Sequence, residues 1–564
     1  MEYVNKALQY IDDVLSGEIP AGKYVKLACQ RQRDDLKNGV DGFEFSEKHA
    51  NKICYFLEQL PIVKGGKGNI ILKPWACFIF TTIFGWVNAE GNRRYRTANI
   101  YVPKKNAKST FAAGVALFGL VADGEKGAEI YSAATRKDQA KIVWEIAKKM
   151  VDQTPALRAH FGIETSKYSI WHESSGSSFL PLSRERDGKN DGYDVHMGII
   201  DEIHALVGAT GAAMYDIVDR GTIARKNSLI LGITTAGGNL SGIGYEKCQY
   251  GQKLLDGKIQ DESMFFIYYG VDDDDIQNHK EELFNDEYYW KKANPNWDFI
   301  DSANFKNQAI KAQNSIREQA GFMTKHLNVF IGSTTPWINQ LEWNGCGSEF
   351  TIDDFAGCEC LLGLDLATKK DICSLAVLIY GHDGKKYLLT RHYINSKTAT
   401  QENNAMYYEW VQTGDLIATP GNITDYSFIE ADILEISKKL VVKDAIFDPH
   451  QAAFIETKLQ DNGIEVSEWP QTMNMMSEPS KVFESWIINK EITHDNNKVM
   501  NWMIGNTQLY HGPHDQIKPV KEDKNSPNKI DGVVATIFTV GRHSLIQDEI
   551  QEGDFNDYIA NPIV

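Results

Sequence analysis

This 564-residue chain lacks several features that mark membrane proteins, secreted proteins and proteins that bind metal through cysteine. It has no run of about 18 or more apolar residues, so the sequence predicts no membrane span. The residues Met1 to Asn5 lack the basic and apolar regions of a signal peptide. The eight cysteines show no metal-type spacing, and Cys358 and Cys360 lie too close together for it. We therefore expect reduced thiols in a cytoplasmic protein.

Basic residues are fewer than acidic ones: the chain has 59 Lys and Arg and 76 Asp and Glu, which gives a formal net charge of −17. This balance argues against one large basic surface that coats nucleic acid, although a local basic channel is compatible with it. The sequence contains no internal repeat or low-complexity tract. A chain of this length is expected to form two or more domains, each with its own core.

A strand-like run, 99–102, leads through a basic loop to the pair Lys108-Ser109, and a helical pattern follows from 110 to 122. This is the order of a phosphate-binding loop, in which backbone N–H groups and a helix N-terminus meet the phosphates. Lys108 would reach the terminal phosphates, and the Ser109 hydroxyl would bind Mg²⁺. The predicted nucleotide-binding residues of the loop are Lys104, Lys105, Asn106, Ala107, Lys108, Ser109 and Thr110.

The loop departs from the common pattern, because Val102 and Ala107 occupy places where glycine is usual. Taken alone, the segment is weak evidence for a nucleotide site, and an ordinary basic surface loop is the alternative. Ala107 costs little if its backbone φ is negative, so we expect a working loop.

Two further apolar strands end in groups that suit a nucleotide site. The first ends at Asp201-Glu202, where Asp201 would hold Mg²⁺ through its water shell and Glu202 would orient the attacking water. The second ends at Thr234-Thr235, whose hydroxyls could sense the γ-phosphate beyond the carboxyl end of a parallel strand. A solvated acidic turn and an ordinary β-rich threonine pair are the alternatives.

A second α/β pattern begins after a connector rich in Thr, Pro and Trp at 333–343. Asp365 ends its first strand, Asp448 ends a later strand, and Asp531 opens a late apolar helix. This order is typical of an RNase H-like nuclease, which brings acids together around two divalent ions ~3.5–4 Å apart. Single acids at strand ends are more often solvated edge residues.

Strand and helix patterns alternate from 98 to 236, which indicates a parallel sheet. The predicted fold is α/β, with a P-loop (ASCE-type) ATPase domain followed by an RNase H-like nuclease domain. The predicted divisions are a helical N-terminal segment at 1–60, the ATPase core at 61–240, a helical subdomain and linker at 241–345, and the nuclease domain at 346–564.

The chain resembles the large terminase subunits of tailed bacteriophages, and within them the HK97-like group. The segments that carry the resemblance in the first half are 103–109, 133–140, 201–204 and 225–237. In the second half they are Gly363-Leu364-Asp365-Leu366-Ala367, Phe447-Asp448-Pro449 and Ile530-Asp531-Gly532. These matches span about residues 70 to 540 in the order of the family.

The resemblance implies an ATP-driven motor that moves viral double-stranded DNA into procapsids, with ATP and Mg²⁺ as cofactors. It also implies an endonuclease that cuts concatemeric DNA through Asp365, Asp448 and Asp531 with Mg²⁺ or Mn²⁺. The implied partners are DNA, the portal protein and the small terminase subunit, with a homo-oligomeric ring formed on the portal and no membrane. Such a protein works in the host cytoplasm and is absent from the mature virion.

Several assignments stay open. Lys104 or Lys105 could supply a catalytic cation, and Arg136 is a rival that would act on a neighbouring subunit's ATP. The family usually has Gln at the place of Ala76, so recognition of the adenine is unassigned. Asp371 is expected to cap a hairpin rather than join the nuclease acids, and Glu430 is a further candidate.

The basic run formed by Lys518, Lys521, Lys524 and Lys529 is either a solvated loop or a phosphate contact. The competing functions are a DExH-type helicase-nuclease and a binding protein with an inactive ATPase domain. The helicase would need a second RecA-like domain, and the second half of the sequence has no further phosphate loop.

Overall fold

A computed structural model describes residues 2–134, 137–167, 169–182, 192–206, 208–239, 242–331, 337–366, 371–400, 404–449, 453–512, 515–521 and 528–560. The chain divides into two compact units, residues 1–331 and 332–564. Arg136 and Lys524 lie outside the described residues. Each unit is built around its own sheet.

The helices of the first unit are α1 (Glu2–Ser16), α2 (Lys23–Asn38), α3 (Glu47–Glu58), α4 (Pro74–Gly85), α5 (Lys108–Val121), α6 (Lys137–Asp152), α7 (Pro155–Phe161), α8 (Gly208–Gly221), α9 (Ile243–Leu255), α10 (Asp273–Asn278), α11 (Glu282–Asn285), α12 (Glu287–Ala293), α13 (Ser302–Gln313) and α14 (Ile316–His326). Its strands are β1 (Glu44–Phe45), β2 (Trp86–Val87), β3 (Thr97–Tyr101), β4 (Glu129–Ala133), β5 (Ile163–Thr165), β6 (Ile170–His172), β7 (Ser177–Leu182), β8 (Val195–Asp201), β9 (Leu229–Thr234) and β10 (Met264–Tyr268).

In the described residues, the main sheet of the first unit has the strand order β10-β3-β9-β8-β4-β7-β6-β5. The strands from β10 to β7 run parallel, and β6 is antiparallel to both β7 and β5. Every residue of β9 is buried, as expected for a parallel strand covered on both faces. β9 lies between the loop strand β3 and the acid strand β8, which confirms the ASCE-type ATPase fold. The region predicted as mostly helical also contributes β10, which pairs with β3.

The carboxyl ends of β3, β8 and β9 meet at one edge of this sheet. Val102 N donates to Thr234 O at 2.8 Å, and Glu202 N donates to Ile233 O at 2.9 Å. Because parallel strands end at the same edge, this is where an α/β protein binds its ligand. The three segments selected from the sequence therefore lie side by side.

Helix α4 is buried along its whole length after Pro74 and packs against α1 and α3. A helix that is apolar on every side belongs in a core rather than at a surface. Ala76 is fully buried within it, so this position offers no exposed group to a nucleotide base.

The second unit contains the helices α15 (Gln340–Asn344), α16 (Ala405–Thr413), α17 (Tyr426–Lys439), α18 (Ala453–Asp461), α19 (Met473–Ile488), α20 (Lys498–Asn506) and α21 (Asp531–Ala560). Its strands are β11 (Glu359–Asp365), β12 (Cys373–Tyr380), β13 (Lys386–Asn395), β14 (Ile417–Thr419), β15 (Val441–Phe447), β16 (Val466–Glu468), β17 (Ile492–His494), β18 (Gln508–His511) and β19 (Ile517–Val520).

The described strands of the second sheet follow the order β14-β13-β12-β11-β15-β16, and β17 also pairs with β13. β11, β12 and β13 form an antiparallel meander, whereas β15 lies parallel to β11. This is the predicted RNase H-like arrangement of a meander with a parallel strand beside its first strand. The fold class predicted for both halves is confirmed.

Helix α21 packs across β11 and β12. Gly363 permits this contact, because a Cβ there would lie 2.0 Å from Ala535 O. The close approach brings Asp531, the first residue of α21, over the end of β11 where Asp365 lies.

Within the described ranges, no helix combines the length and apolar character that crossing a bilayer requires. All eight cysteines lie in the described residues and are buried free thiols. Their burial leaves them as small core side chains.

Candidate active sites

The phosphate loop has an unusual backbone. Ala107, which precedes α5, adopts the left-handed conformation with φ 57° and ψ 20°, and Lys105 also has a positive φ of 75°. The expectation of a negative φ at Ala107 is therefore wrong. An L-residue in this region costs about 1–2 kcal/mol, because its Cβ crowds the following carbonyl. The loop keeps the shape that glycine usually provides and bears this strain.

Replacing Ala107 by Gly is expected to stabilise the first unit by about 0.5–1 kcal/mol, since relief of the left-handed strain exceeds the entropic cost of glycine. Chemical denaturation of the full chain measures the change. Ala113→Gly, in the interior of α5, is the matched control and should destabilise the same unit. Destabilisation by both substitutions would contradict the strain at Ala107.

Lys108 is buried and points back onto its own loop. Its Nζ donates to Val102 O at 3.3 Å and to Pro103 O at 3.4 Å, and lies 3.8 Å from Glu202 Oε1. Burial lowers the pKa of Lys108, and the neighbouring carboxylates of Glu202 and Asp201 oppose that shift. The ammonium group is thus held at the sheet edge by weak contacts that a phosphate can replace.

Ser109 and Asp201 form the closest link between the loop and the acid strand. Ser109 Oγ donates to Asp201 Oδ2 at 2.6 Å. Burial and the adjacent charge of Glu202 raise the pKa of Asp201 to about 6. Its other oxygen, Oδ1, is buried and has no hydrogen-bond partner within the described residues. A buried carboxylate oxygen without a partner, beside a hydroxyl, fits the oxygen ligands that Mg²⁺ prefers.

Glu202 is ionised and held by three neighbouring groups. Its Oε2 lies 3.1 Å from His204 Nδ1 and accepts from Thr235 Oγ1 at 3.3 Å and Thr235 N at 3.4 Å. Burial opposes its ionisation, but the hydrogen bond from His204 and the charge of Lys108 outweigh burial and lower its pKa to about 2. Glu202 also has a positive φ of 59°, a strained geometry that is often found at functional positions.

Thr234 is linked to Glu202 through His204, which contacts both side chains. Thr234 Oγ1 lies 2.9 Å from His204 Nδ1 and accepts from His204 N at 3.2 Å. His204 was not among the predicted site residues, although it stands two positions after Glu202 in the acidic motif. A movement of the backbone at the end of β9 would therefore be passed to Glu202 through Thr234 and His204.

Asn106 has a different role from its neighbours in the loop. It is fully buried, its Nδ2 donates to Asn294 Oδ1 at 3.0 Å, and its Oδ1 accepts from Asn296 N at 3.0 Å. Its side chain therefore ties the loop to the segment after α12 rather than facing a ligand. No sequence signal marks this tie, because nearly 190 residues separate the partners.

Lys104 and Lys105 are exposed, and Thr110 is half-buried. A cavity of about 480 Å³ opens beside the two lysines, and its wall includes Phe299, Ile300 and Lys325. Its size lies within the range of small-molecule sites. Positive charge over an apolar wall suits a ligand with an anionic group and a flat apolar part.

In the second unit, Asp365 and Asp448 lie at neighbouring strand ends. β11 and β15 pair through Leu364 and Phe447, the residues that immediately precede the two acids. Both acids are largely buried, with 7% exposure each. Burial raises the pKa of Asp365 well above its usual value, and the charges of Asp531 and Asp448 raise it further. The structure therefore brings Asp448 and Asp531 within electrostatic reach of Asp365.

The carboxylate of Asp531 has one oxygen, Oδ2, that is buried and has no hydrogen-bond partner within the described residues. Burial raises its pKa to about 6, with a further increase from Asp371, while Lys521 and Lys529 act in the opposite direction. In the described part of the chain, no three His, Cys, Asp or Glu side chains are close enough together to hold a metal ion. A divalent cation would give the unpaired oxygen of Asp531 a partner and would offset the repulsion between the neighbouring acids.

Three further residues border these acids. Asp371 pairs with Lys529, and its charge acts on both Asp365 and Asp531, so it lies near the acids. Gln471 Nε2 donates to Asp365 Oδ1 at 3.5 Å, a contact that the sequence did not suggest. Lys518 Nζ donates to Gln471 O at 2.5 Å, so one lysine of the basic run contacts this border. Glu430 instead pairs with Lys458.

Metal-dependent DNA cleavage is expected to rise between about pH 5 and pH 7 and then level off. The pKa values of Asp365 and Asp531 are raised, so protons compete with cations until these acids ionise. Plasmid nicking across this range, at two Mn²⁺ concentrations, measures the profile. The midpoint should move to lower pH at the higher concentration, and a flat profile would count against these acids as ligands.

Both halves of the chain are similar to known proteins. Residues 74–253 match the family model "Terminase large subunit, ATPase domain", and residues 258–546 match "Terminase large subunit, endonuclease domain". The chain is 32% identical to Protein YmfN of Escherichia coli (strain K12) over 383 residues, 65% of this chain and 82% of that protein. It is 26% identical to the large subunit of the terminase of Enterobacteria phage HK97 over 526 residues, 91% of this chain and 99% of that protein.

Among solved structures, the crystal structure of the HK97 bacteriophage large terminase is similar at 23% identity and a TM-score of 0.42. That similarity covers 87% of this chain and 99% of the other. The matched regions together include every described residue of both candidate sites.

Proposed function

The chain belongs to the terminase large subunits, and from that premise we propose that it packages the double-stranded DNA of a tailed bacteriophage into procapsids. It is an ATPase and an endonuclease, with one domain for each activity. The comparisons give no support to the helicase alternative. The single observation that carries the site assignment is the Ser109–Asp201 hydrogen bond of 2.6 Å, which joins the phosphate loop to the acid strand.

ATP hydrolysis would use residues that already face one another at the sheet edge. Lys108 would leave the loop carbonyls and bind the terminal phosphates, and Ser109 and Asp201 would hold Mg²⁺. Bound Mg²⁺ would neutralise charge on the phosphates. Glu202 stays ionised and, oriented by His204 and Thr235, would align the attacking water.

Lys104 and Lys105 are the candidates for the catalytic cation within the described residues. Lys104 and Lys105 are exposed at the rim of the cavity beside the loop, so either can turn toward a phosphate. Arg136 is the rival, and it would act across a subunit boundary in a ring. A positioned cation of this kind contributes ~10³–10⁵ in rate.

The endonuclease would use Asp365, Asp448 and Asp531 to hold Mg²⁺ or Mn²⁺. Bound metal would activate water and stabilise the leaving oxygen. Lys518, Lys521 and Lys529 would contact the DNA backbone beside these acids.

The motor would work in the host cytoplasm as a ring docked on the portal protein, with the small terminase subunit delivering the DNA. The net charge of −17 disfavours spontaneous self-association, so the purified chain should be mostly monomeric. Docking would bring neighbouring subunits together and complete their ATP sites.

A packaging reaction tests this function. The full chain is mixed with procapsids that carry a portal, the small subunit, linear double-stranded DNA and ATP, and DNA protected from added nuclease is measured. Protection that requires ATP hydrolysis is expected. Unwinding of a tailed duplex without any protection would instead favour the helicase alternative, and neither activity with no ATP hydrolysis would favour the inactive binding protein.

Mixed rings separate the two sources of the catalytic cation. If Arg136 acts across subunits, a mixture of Arg136→Ala and Lys108→Ala subunits should regain part of the ATPase activity that each variant lacks alone. The Lys108→Ala subunit still donates its arginine, and the Arg136→Ala subunit keeps an intact loop. No recovery under conditions where wild-type rings assemble would favour Lys104 or Lys105.

A further inference from the structure

Asp365 belongs to a row of polar residues that crosses three strands. Asp365 on β11 pairs with Ser374 on β12, and Ser374 pairs with His392 on β13. Directly paired residues of antiparallel strands lie on the same face of a sheet. Gly363, two residues before Asp365, faces Ala535, so this row lies on the face covered by α21.

His392 closes the row beneath the start of α21. It is fully buried, and its Nδ1 lies 2.9 Å from Ser374 Oγ. A Cβ on Gly532 would lie 2.7 Å from His392 Cε1, so the imidazole fills the space beside a residue that must lack a side chain. Gly532 directly follows Asp531. The ring thus supports the backbone that carries this acid.

The two ring nitrogens of His392 differ, because only Nδ1 has a hydrogen-bond partner in the described residues. Nε2 is buried and has no hydrogen-bond partner within the described residues. The sulfurs of Met500 and Met503 would contact a Cβ at Gly532 at 2.9 and 3.0 Å, and Gly532 N donates to Met503 Sδ at 3.0 Å. A buried polar ring with one nitrogen left without a hydrogen bond is costly, so its place beside Gly532 calls for a role.

We propose that Ser374 and His392 are positioning residues that set the separation of Asp365 and Asp531. Asp365 is fixed through its strand neighbour Ser374, and Asp531 through the ring that Ser374 holds under Gly532. Two buried carboxylates repel each other, so a rigid link keeps them ready for cations that bind only at a defined spacing. This inference rests on the proposed metal role of these acids.

The test measures Mn²⁺ binding by the full chain, from the electron paramagnetic resonance signal of free Mn²⁺, together with plasmid cleavage. Asp531→Ala defines the binding that belongs to the nuclease site. His392→Leu, which keeps bulk but loses both nitrogens, should weaken that binding about 10–100-fold, as loss of groups that orient metal ligands does. Added Mn²⁺ should restore part of the cleavage. Ser374→Ala should have a smaller effect of the same kind, and His392→Asn, which can still contact Ser374, should recover part of the affinity.

His494→Leu is the matched control for the loss of a buried histidine. His494 is 1% exposed, stacks on Trp343 at 3.8 Å, and forms no contact with the acids in the described residues. It should lower the melting temperature and leave Mn²⁺ affinity unchanged.

The outcomes separate the two proposals. If Asp531→Ala binds Mn²⁺ and cuts DNA like wild type, the acid site itself is wrong. If Asp531→Ala loses Mn²⁺ binding and cleavage while His392→Leu and Ser374→Ala keep wild-type Mn²⁺ affinity, the proposed positioning role of His392 and Ser374 is wrong, whatever the melting temperatures of these variants. Should His392→Leu fail to fold, Ser374→Ala decides, because it removes only one hydroxyl.

Discussion

Lys108→Ala and Glu202→Gln are each expected to abolish ATP hydrolysis while DNA cleavage by the same protein persists. Lys108 is the buried cation at the loop, and Glu202 is the ionised acid that His204 and Thr235 orient. Loss of a positioned general base costs about 10²–10⁴ in rate, and Glu202→Gln removes the charge without removing the bulk. Phosphate release by the full chain in the presence of DNA measures the effect.

The exposed ion pair Lys226–Glu90 supplies matched controls in the same unit. Their side chains are 78% and 63% exposed and lie 3.2 Å apart, so Lys226→Ala and Glu90→Gln make the same chemical changes at the surface. Both controls should hydrolyse ATP like wild type. Near-wild-type hydrolysis by Glu202→Gln would remove that residue from its role as base.

Replacing Asp365, Asp448 or Asp531 by Ala is expected to lower DNA cleavage by orders of magnitude and to leave ATP hydrolysis intact. Each substitution would leave a metal pair short of a ligand. ATP hydrolysis should persist because the two sites belong to separate units. Nicking of a plasmid in Mn²⁺ measures cleavage, and it should show no sequence preference.

The same acids should lower the stability of the folded protein when no metal is present. The pKa of Asp531 is raised to about 6, so above that pH the fold holds an ionised, buried carboxylate at a cost. Asp531→Asn should therefore raise the melting temperature at neutral pH while abolishing cleavage. If Asp448→Ala cut DNA as well as wild type, Asp371 would be the next acid to test, since its charge already acts on Asp365.

The local sequence pattern was sufficient to predict the strands and the helix on which the candidate site residues lie. The apolar runs before Lys108, Asp201 and Thr234 form the strands β3, β8 and β9, and the run before Asp365 forms β11. Asp531 opens α21 as expected. These predictions hold because strand and helix periodicity depends on neighbouring residues, and because parallel strands end at one edge whatever their order.

Predictions that depended on backbone conformation or on distant partners were less successful. A negative φ at Ala107 was assumed, and the loop instead takes the left-handed form that glycine would favour. Asn106 was assigned to the nucleotide, whereas its side chain binds the 294–296 segment. The contacts of Asn106 join the loop to a segment far away in the chain, and the local sequence pattern does not record such contacts.

The sequence by itself determined the order of the two domains and the family to which the chain belongs, and it predicted the acids and the loop lysine of the two sites. Only the tertiary structure decided which residues orient them. Thr235 reaches Glu202 because β8 and β9 are neighbours, and His392 reaches the start of α21 because the register of β11, β12 and β13 aligns it with Asp365. Register and close approach arise from packing between segments far apart in the chain, and local periodicity carries no record of them.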